Sequence, residues 1–191
     1  MTNKENYESL MRMCIARDGV ETLLQDLENN GFYEAWASTT FHCNYPGGLV
    51  EHTLNVMNYA MKLKDTFGSK VSLESIILCA GCHDIGKAYG YYVPNLLKSG
   101  KTSGSKPMKI NPKLMIKSHA LRSLNIASKF FKLTENEKVC IMAHDGWYEN
   151  TNREYMLALD ELLYIVHSAD LYVARFVEPV KSYKGGEVID L

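Results

Sequence analysis

Apolar residues recur at intervals of three and four along most of this chain of 191 residues, which is the spacing of a buried helix face. No segment alternates between apolar and polar residues for more than a few positions, so a strand-rich fold is disfavoured. A chain of this length can bury a core without disulfides or a structural metal. We therefore expect a single all-α domain over 1–191, with helices over about 7–29 (interrupted at Asp18-Gly19), 49–67, 72–86, 111–131, 134–144 and 155–177.

The segments around this core have a different composition. We place the core at about 32–177, after helices within 1–31 and before a loose tail at 178–191. Residues 87–110 are rich in Gly, Ser, Pro, Tyr and Lys and lack an apolar period, which favours a long irregular insertion or lid. Asn111-Pro112 is a favoured helix start, because asparagine caps well and proline is tolerated at the first helical position. The next helix is therefore predicted to begin there.

Charge is distributed unevenly along the chain. Residues 85–134 contain ten lysines and arginines and no acidic residue, whereas the remainder of the chain carries a net charge of -11. An asymmetry of this kind predicts an anionic partner at the basic segment. A solvated lysine-rich loop without a partner is the alternative interpretation.

The sequence carries no sign of export or membrane insertion. Its longest apolar runs, 76–80 and 139–143, are far below the ~20 residues of a membrane-spanning helix, and the first residues do not resemble a signal peptide. We therefore expect a cytoplasmic protein without a membrane partner. Its five cysteines, odd in number and irregularly spaced, are expected to be free thiols, with Cys14, Cys43 and Cys140 in packing roles.

Polar residues at positions where the helical pattern calls for apolar ones are the most informative. In the last predicted helix, Asp170 interrupts a stripe formed by Leu163, Val166 and Val173, with Leu159 and Val177 at its two ends. An unpaired buried carboxylate is costly, so Asp170 should be paired or bound to a metal. The same reasoning applies to inward-facing polar residues on other predicted helices, namely His52, His83, Asp84, His119 and His144.

The stretch "CAGCHDIGK" (79–87) contains two overlapping signatures. Its first five residues match the C-x-x-C-H pattern of covalent haem attachment, and its last five pair His83 and Asp84 with a lysine one turn later. Covalent haem attachment requires export, which is not indicated. A redox C-x-x-C requires its first cysteine at a helix N-terminus, whereas Cys79 lies about two turns inside a predicted helix. The metal interpretation of His83 and Asp84 is therefore favoured.

Three motifs occur in the order and spacing of a known family: "FHCNYPGGLVEHTLNV", "HDIGK" and "LLYIVHSADLYVARF". Over about 32–176 the chain resembles the HD superfamily of metal-dependent phosphohydrolases, including the HD domain of some bacterial 3'-5' exoribonucleases and small phage and bacterial HD hydrolases. "KSHALRS" and "AHDGWY" fall where binuclear members place further histidines. The resemblance implies an HD-type helical bundle in which His52, His83, Asp84 and Asp170 hold a first metal. Asp84 then bridges to a second metal, which His119 and His144 complete.

The implied chemistry suits these residue types. Two divalent cations a few ångströms apart bind and acidify a bridging water, giving a hydroxide that attacks a phosphate ester. Imidazole-rich, carboxylate-containing ligation favours Mn, Fe, Co or Ni, with Mg also possible. The resemblance thus implies a phosphomonoesterase or phosphodiesterase that acts on a nucleotide or a single-stranded nucleic-acid end. Asp84 and Lys87 would have catalytic roles.

Other residues near these motifs are candidates for substrate binding: Lys87, Arg122, Lys117, His42 and Trp147. Cations suit phosphate oxygens, and Trp147 or its neighbour Tyr148 could stack on a base. Each has a structural alternative, such as a surface ion pair for Arg122 or aromatic packing for Trp147. His167, three residues before Asp170, is either packed or hydrogen-bonded to a metal ligand.

Two other functions remain open at this point. Some HD relatives are mixed-valent di-iron oxygenases with a similar set of six ligands, although Lys87 is more typical of the phosphohydrolases. A non-catalytic HD module that binds nucleotides or nucleic acid is the second, although it has little need for six costly inward polar residues. Metal analysis with an oxygen-consumption assay would identify the first, and affinity without turnover would identify the second.

Overall fold

A computed structural model describes residues 1–104 and 106–178 in full, together with the backbone of 181–184 and 187–190. Helices dominate it, which confirms the predicted all-α fold. The α-helices are α1 (Asn3–Cys14), α2 (Val20–Asn29), α3 (Gly48–Phe67), α4 (Leu73–Cys82), α5 (His119–Phe130), α6 (Glu135–Ala143), α7 (Arg153–Leu157) and α8 (Glu161–Tyr172). Short 3₁₀ turns at Phe32–Glu34, Ile85–Lys87, Gly146–Tyr148 and Asn150–Asn152 and a π-helical segment at Val173–Val177 complete the helical part.

Two antiparallel hairpins accompany the helices. Strands β1 (Tyr92–Pro94) and β2 (Met108–Ile110) pair with Tyr92 opposite Ile110. Strands β3 (Lys181–Lys184) and β4 (Glu187–Asp190) pair with Lys181 opposite Asp190. The segment that we predicted as an irregular lid therefore contains the β1–β2 hairpin, whose short strands gave no recognisable period in the sequence.

Helix α3 lies at the centre of the bundle. It packs against α1, α4 and α8, while α6 packs against α4, α5 and α8. The core between these helices consists of large apolar side chains that are fully buried, such as Leu49, Met57, Ile77, Leu78 and Ile141. This arrangement brings one end of several helices to a common point, where the polar residues of the predicted site lie. Among the described residues, no helix is both long and apolar enough to cross a bilayer.

Glycine determines how α3 begins. Gly47 adopts a left-handed conformation with φ of 81°, which glycine tolerates without steric cost. A Cβ on Gly48 would lie 2.0 Å from the carbonyl oxygen of Cys43. The two glycines of "YPGG" thus let the preceding loop fold tightly onto the first turn of α3, one turn before His52.

The helix predicted to start at Asn111 begins instead at His119. Ser118 is its N-cap, and the Ser118 side chain accepts a hydrogen bond from the backbone N–H of Leu121. Asn111 forms a local turn, because its side-chain oxygen accepts from the N–H of Lys113 and its carbonyl accepts from Leu114. Asn-Pro favours a turn as well as a helix start. Here the pairing of the Asn111 N–H with the carbonyl of Tyr91 at 2.8 Å keeps it beside the hairpin.

The long helix predicted over 155–177 was wrong in its boundaries. The chain breaks at Leu159, which has a left-handed φ of 55° and is exposed. Asp160 then caps α8 by accepting from the N–H of Leu163. Leu159 therefore does not belong to the buried stripe, although Leu163, Val166 and Val173 are fully buried.

The predicted loose tail at 178–191 was wrong at its first residue. Glu178 is buried and closes the π-helical segment, with its N–H donating to the carbonyl of Val173 at 3.0 Å. The backbone of 181–184 and 187–190 is paired in the second hairpin. For 179, 180, 185, 186 and 191 the expectation lies outside the described residues.

Candidate metal centre

The polar residues predicted at core positions converge at one end of the bundle. Helix α3 supplies His52 from its second turn, and the C-terminal end of α4 supplies His83 and Asp84. The remaining three residues are the first residue of α5, the residue that follows α6 and a residue near the end of α8, which are His119, His144 and Asp170.

Asp84 lies at the centre of this cluster, with its two oxygens facing opposite ways. Oδ2 is 3.6 Å from Nε2 of His52 and 3.5 Å from Nε2 of His83. Oδ1 is 3.5 Å from Nε2 of both His119 and His144. The carboxylate therefore stands between two pairs of imidazoles, which is the arrangement expected of a group that bridges two cations.

Each imidazole pair is closely spaced. The Nε2 atoms of His52 and His83 are 3.3 Å apart, and so are those of His119 and His144. Asp170 joins the first pair, with Oδ1 3.2 Å from Nε2 of His52. Its side chain also lies within 4.8 Å of ligand atoms of His83 and His144.

Hydrogen bonds at the opposite ring nitrogen orient two of these histidines. Nδ1 of His83 donates to the carbonyl of Ala80 at 2.7 Å, and Nδ1 of His144 donates to the carbonyl of Ile141 at 2.8 Å. Both acceptors lie in the last turn of a helix, where carbonyls lack an intrahelical partner. A proton on Nδ1 leaves the lone pair of Nε2 directed at the cluster, as a metal ligand requires.

The residues present fit a pair of divalent cations. Asp84 Oδ1 is buried, yet no hydrogen-bond donor reaches it among the described residues, and an unsatisfied buried carboxylate oxygen is costly. Ligands held about 2.1 Å from one cation are roughly 3.0–3.4 Å from each other, close to the 3.2–3.6 Å separations of this cluster. Imidazole nitrogens and carboxylate oxygens are suitable donors for Mn, Fe, Co and Ni.

The electrostatics of the site favour positive charge. Burial alone would lower the pKa of His52, but the carboxylates of Glu178 and Asp170 outweigh it and raise the pKa to about 10. Burial likewise opposes charge on His144, but Asp145 and Asp84 outweigh burial and raise the pKa of His144 to about 10. The pKa of Asp84 is well below its usual value, because Lys87 and His83 overcome the effect of burial. The carboxylates are thus ionised and favour positive charge at this site, and a metal ion that binds the imidazoles displaces the protons from their Nε2 atoms.

A cavity of about 370 Å³ opens onto this cluster. His52, Asp84, His119, His144 and Asp170 form its floor, and its walls include Tyr91, Tyr92, Ile110 and Leu171. This volume is within the range of small-molecule sites. Residues from the β1–β2 hairpin, the loop before α3 and the end of α8 meet around the opening, so the predicted lid does border the site.

Of the predicted substrate-binding residues, the structure brings Lys87 and His42 to the cavity. Lys87 Nζ donates to Asp84 Oδ2 at 2.6 Å. Arg122 is not in the lining, because its guanidinium donates to the carbonyls of Gly86 and Tyr89. The side chains of Lys117 and Trp147 are exposed and lie outside the lining, whereas the neighbouring Tyr148 contributes to it.

His167 also lines the cavity. Its Nδ1 donates to the carbonyl of His144 at 2.8 Å. A Cβ on Gly146 would lie 2.2 Å from its ring, so the ring packs directly on the backbone after His144. His167 is therefore packed and hydrogen-bonded to the backbone of a candidate ligand, and its Nε2 has no hydrogen-bond partner among the described residues.

Three residues of the site were missed by sequence reasoning. Asp145 Oδ2 lies 3.2 Å from Nε2 of His119, and the histidines around it hold the pKa of Asp145 at about 2 against the effect of burial. Its signal was the second His-Asp pair, which follows α6 as His83-Asp84 follows α4. Arg175 is exposed at the opening of the cavity, and Glu178 is buried beside His52. Neither residue interrupts an apolar stripe, so the sequence pattern did not indicate them.

The cysteines of "CAGCH" are inert packing residues. Cys79 and Cys82 are fully buried, and burial raises the pKa of the Cys82 thiol to about 12. Burial and the neighbouring Cys140 raise the pKa of Cys79 well above its usual value. This environment is the opposite of a redox site, where the thiol pKa is lowered.

Gly86 of "HDIGK" controls how α5 approaches the site. Its N–H donates to Ser123 Oγ at 2.9 Å, and a Cβ at this position would lie 2.3 Å from the carbonyl oxygen of His119 and 2.7 Å from the nitrogen of Ser123. Gly86→Ala is expected to destabilise the fold by about 1–3 kcal/mol through overpacking and to displace His119 from His144. Thermal unfolding and metal content of the purified protein would measure both effects.

Gly104→Ala is the matched control, because a Cβ at Gly104 meets nothing within 4 Å. It should leave melting temperature and metal content unchanged. A Gly86→Ala protein with the melting temperature and metal content of the parent would show that α5 does not depend on this close approach.

Comparison with known proteins places the chain in a family. A family model for the HD domain matches residues 49–175, about two thirds of the chain. A curated relative, the dihydroneopterin 2',3'-cyclic phosphate phosphodiesterase of Methanocaldococcus jannaschii, is 44% identical over 62 residues. That match covers 30% of this chain and spans only 25% of the relative's length. No solved structure gave a significant match. The extent of the family match, over the same helices that build the candidate metal centre, shows that the chain belongs to the HD domain family.

Proposed function

We propose that this protein is a metal-dependent phosphohydrolase that cleaves a phosphodiester of a nucleotide or of a nucleic-acid end. The observation that carries the proposal is the position of Asp84 at the floor of the cavity, where its two oxygens face two separate pairs of imidazoles. Membership of the HD family and the partial match to a phosphodiesterase support hydrolysis of a phosphate ester in general.

The candidate ligands form two groups. His52, His83, Asp84 and Asp170 would hold the first cation, and Asp84, His119 and His144 the second, with Asp145 close enough to join them. When bound, such a pair supplies a hydroxide at neutral pH and neutralises charge on the phosphoryl group.

Other residues of the cavity have roles in binding and proton handling. Lys87 Nζ donates to Asp84 Oδ2 and faces the cavity, so it can also donate to a phosphoryl oxygen. His167 donates its Nδ1–H to the carbonyl of His144, so its Nε2 can accept a hydrogen bond from a hydroxyl group of the substrate or from water. Arg175 lies exposed at the opening, forms no ion pair with a described residue and can hold a second anionic group.

Aromatic side chains at the opening support a substrate with a flat ring. Phe41 is 62% exposed and Tyr148 is 77% exposed, although both line the cavity. Exposed aromatic rings beside a cationic site suit stacking on a heterocyclic base. The substrate named for the relative also combines a heterocyclic ring with a cyclic phosphodiester, which is why we propose a diester rather than a monoester.

The basic segment supports a polyanionic partner. Six lysines on and beside the β1–β2 hairpin are exposed and form no ion pair with a described residue: Lys98, Lys101, Lys106, Lys109, Lys113 and Lys117. Ile110, at the base of this hairpin, lines the cavity. Unpaired cations next to a site attract anions over about a Debye length, so a short single strand could lie along the hairpin with its end in the cavity.

A screen of the metal-loaded protein tests the proposal. Purified protein loaded with Mn would be assayed against 2',3'-cyclic and 3',5'-cyclic nucleotides, bis-p-nitrophenyl phosphate, p-nitrophenyl phosphate and short single-stranded RNA and DNA. We expect diesters to be hydrolysed faster than the monoester. Turnover of oligonucleotides, but not of the small diester, should fall between 50 and 200 mM salt if the lysines contribute.

The other outcomes of this screen are informative. Hydrolysis of the monoester alone would contradict the diester proposal. Tight nucleotide binding without turnover of any substrate would indicate a non-catalytic module. Metal-dependent oxygen consumption without phosphate release would indicate the oxygenase chemistry found in some HD relatives.

A further inference from the structure

Glu178, the residue that follows the π-helical segment, is buried beside the first histidine of the metal centre. Its side chain is only 3% exposed. Oε2 lies 2.9 Å from Nδ1 of His52 and 2.9 Å from Nδ1 of His42, and Oε1 accepts from the side-chain amide of Asn55 at 2.8 Å. Three partners thus satisfy a carboxylate that would be costly to bury alone.

The hydrogen bond to Glu178 determines which ring nitrogen of His52 carries the proton. A carboxylate accepts hydrogen bonds, so Nδ1 of His52 must carry the proton. The lone pair of Nε2 is then directed at Asp84 and Asp170, which lie 3.6 and 3.2 Å from it. With the other tautomer, the Nε2 proton would occupy the cation's position.

Helix geometry explains why His52 needs a side-chain partner. His83 and His144 follow the last turns of α4 and α6, where the carbonyls of Ala80 and Ile141 are free to accept from Nδ1. His52 lies inside α3, where backbone carbonyls already serve the helix. Its Nδ1 therefore depends on an acceptor from another element, and Glu178 is that acceptor.

The π-helical segment brings Glu178 into this position. The N–H of Glu178 donates to the carbonyl of Val173, five residues earlier, at 3.0 Å. A π turn is wider than an α turn and changes the direction of the residues that follow it, and such turns recur at functional sites. Both Glu178 and His42 lie outside residues 49–175, the part of the chain that the HD family model matches.

We propose that Glu178 is a positioning residue that holds the Nδ1–H of His52 and so directs Nε2 to the first metal. The proposal rests on the proposed function in one respect: a metal must bind at this site. It requires no substrate and no turnover. A competing interpretation is that His42, His52 and Glu178, whose ligand atoms lie within 4.8 Å of one another, bind a cation of their own.

Metal binding of a Glu178→Leu protein tests the proposal, because leucine is of similar size and has no acceptor for the Nδ1–H of His52. Mn content would be measured by equilibrium dialysis over a range of free Mn, with melting temperature recorded on the same samples. Loss of a partner that orients a ligating histidine typically costs 10–100-fold in metal affinity, so we expect a drop of that size at one site. Glu161→Leu, at an exposed position in the first turn of α8, is the matched control and should bind like the parent.

Two further variants separate the interpretations. His42→Ala leaves the bond between Glu178 and His52, so Mn affinity should change less than threefold; loss of a bound Mn would overturn the proposal in favour of a separate cation site. Asn55→Ala removes the hydrogen bond to the other oxygen of Glu178 and should lower Mn affinity several-fold, which decides the matter if Glu178→Leu does not fold. Parent-like Mn affinity in Glu178→Leu, or in Asn55→Ala where Glu178→Leu is unfolded, would also overturn the proposal. Because metal is measured directly, absence of phosphodiesterase activity would count against the proposed function alone.

Discussion

Asp84→Asn is expected to remove both metals and reduce kcat/KM by at least ~10³-fold, because losing cations that contribute several kcal/mol to the transition state has that effect on rate. Asp84 faces both imidazole pairs, through Oδ2 to His52 and His83 and through Oδ1 to His119 and His144. An amide of the same shape keeps one acceptor oxygen and loses the charge. Its NH₂ group would point at one of the two cation positions.

Metal content by mass spectrometry and steady-state kinetics on the same preparation would measure this effect. Asp65→Asn, on the exposed surface of α3, is the control and should retain metal and activity. An Asp84→Asn protein with two bound metals and more than a tenth of the parental kcat/KM would contradict the bridging role.

Arg17→Met is expected to destabilise the fold by about 3–5 kcal/mol, because it leaves a buried charge without its partner. Arg17 donates through Nη1 and Nη2 to the two oxygens of Glu137, each at 3.0 Å, and the Glu137 side chain is fully buried. Arg17 also reaches Glu74 at 3.2 Å and so ties the loop after α1 to both α4 and α6. Chemical denaturation would measure the free energy of unfolding.

A second arginine provides the control. Arg12 pairs with Glu8 and Glu21, but Arg12 and Glu21 are exposed and Glu8 is only partly buried, so Arg12→Met should cost under about 1 kcal/mol. An equal decrease in the free energy of unfolding in the two variants would show that the burial of Glu137 does not determine the cost of losing its arginine partner.

The same pair predicts how stability depends on pH. Burial would raise the pKa of Glu137, but Arg17, the N–H of Thr134 and the hydroxyl of Ser75 outweigh it and lower the pKa below its ordinary value of 4.5. A carboxyl with a lowered folded-state pKa stabilises the fold above its unfolded pKa, and this stabilisation is lost as pH falls through the folded value. Parent protein should therefore lose stability below about pH 4.5 more steeply than Glu137→Gln.

The candidate ligands could be predicted because they interrupt a regular pattern. His52, His83 and Asp170 occupy positions that the helical period assigns to the core, so their polarity indicated a function before any geometry was known. A helix also fixes direction, so residues on the buried faces of neighbouring helices had to point towards each other. The family resemblance carried by the same residues then agreed with the HD family match.

Features that depend on departures from helical regularity could not be predicted in the same way. The π turn before Glu178 changes the phase of α8, so no period relates Glu178 to Asp170. The delayed start of α5 at His119 depends on the pairing of Asn111 with Tyr91 in the hairpin, a contact between residues far apart in sequence. Asp145 was hidden for a different reason, since it lies beyond the end of α6 and outside any apolar stripe.

Crystals of the Mn-loaded protein, measured at the Mn absorption edge, would test the metal centre most directly. We predict two anomalous peaks on opposite sides of the Asp84 carboxylate, one near His52, His83 and Asp170 and the other near His119 and His144. A single peak, or peaks located only at His42 and Glu178, would contradict a binuclear centre bridged by Asp84.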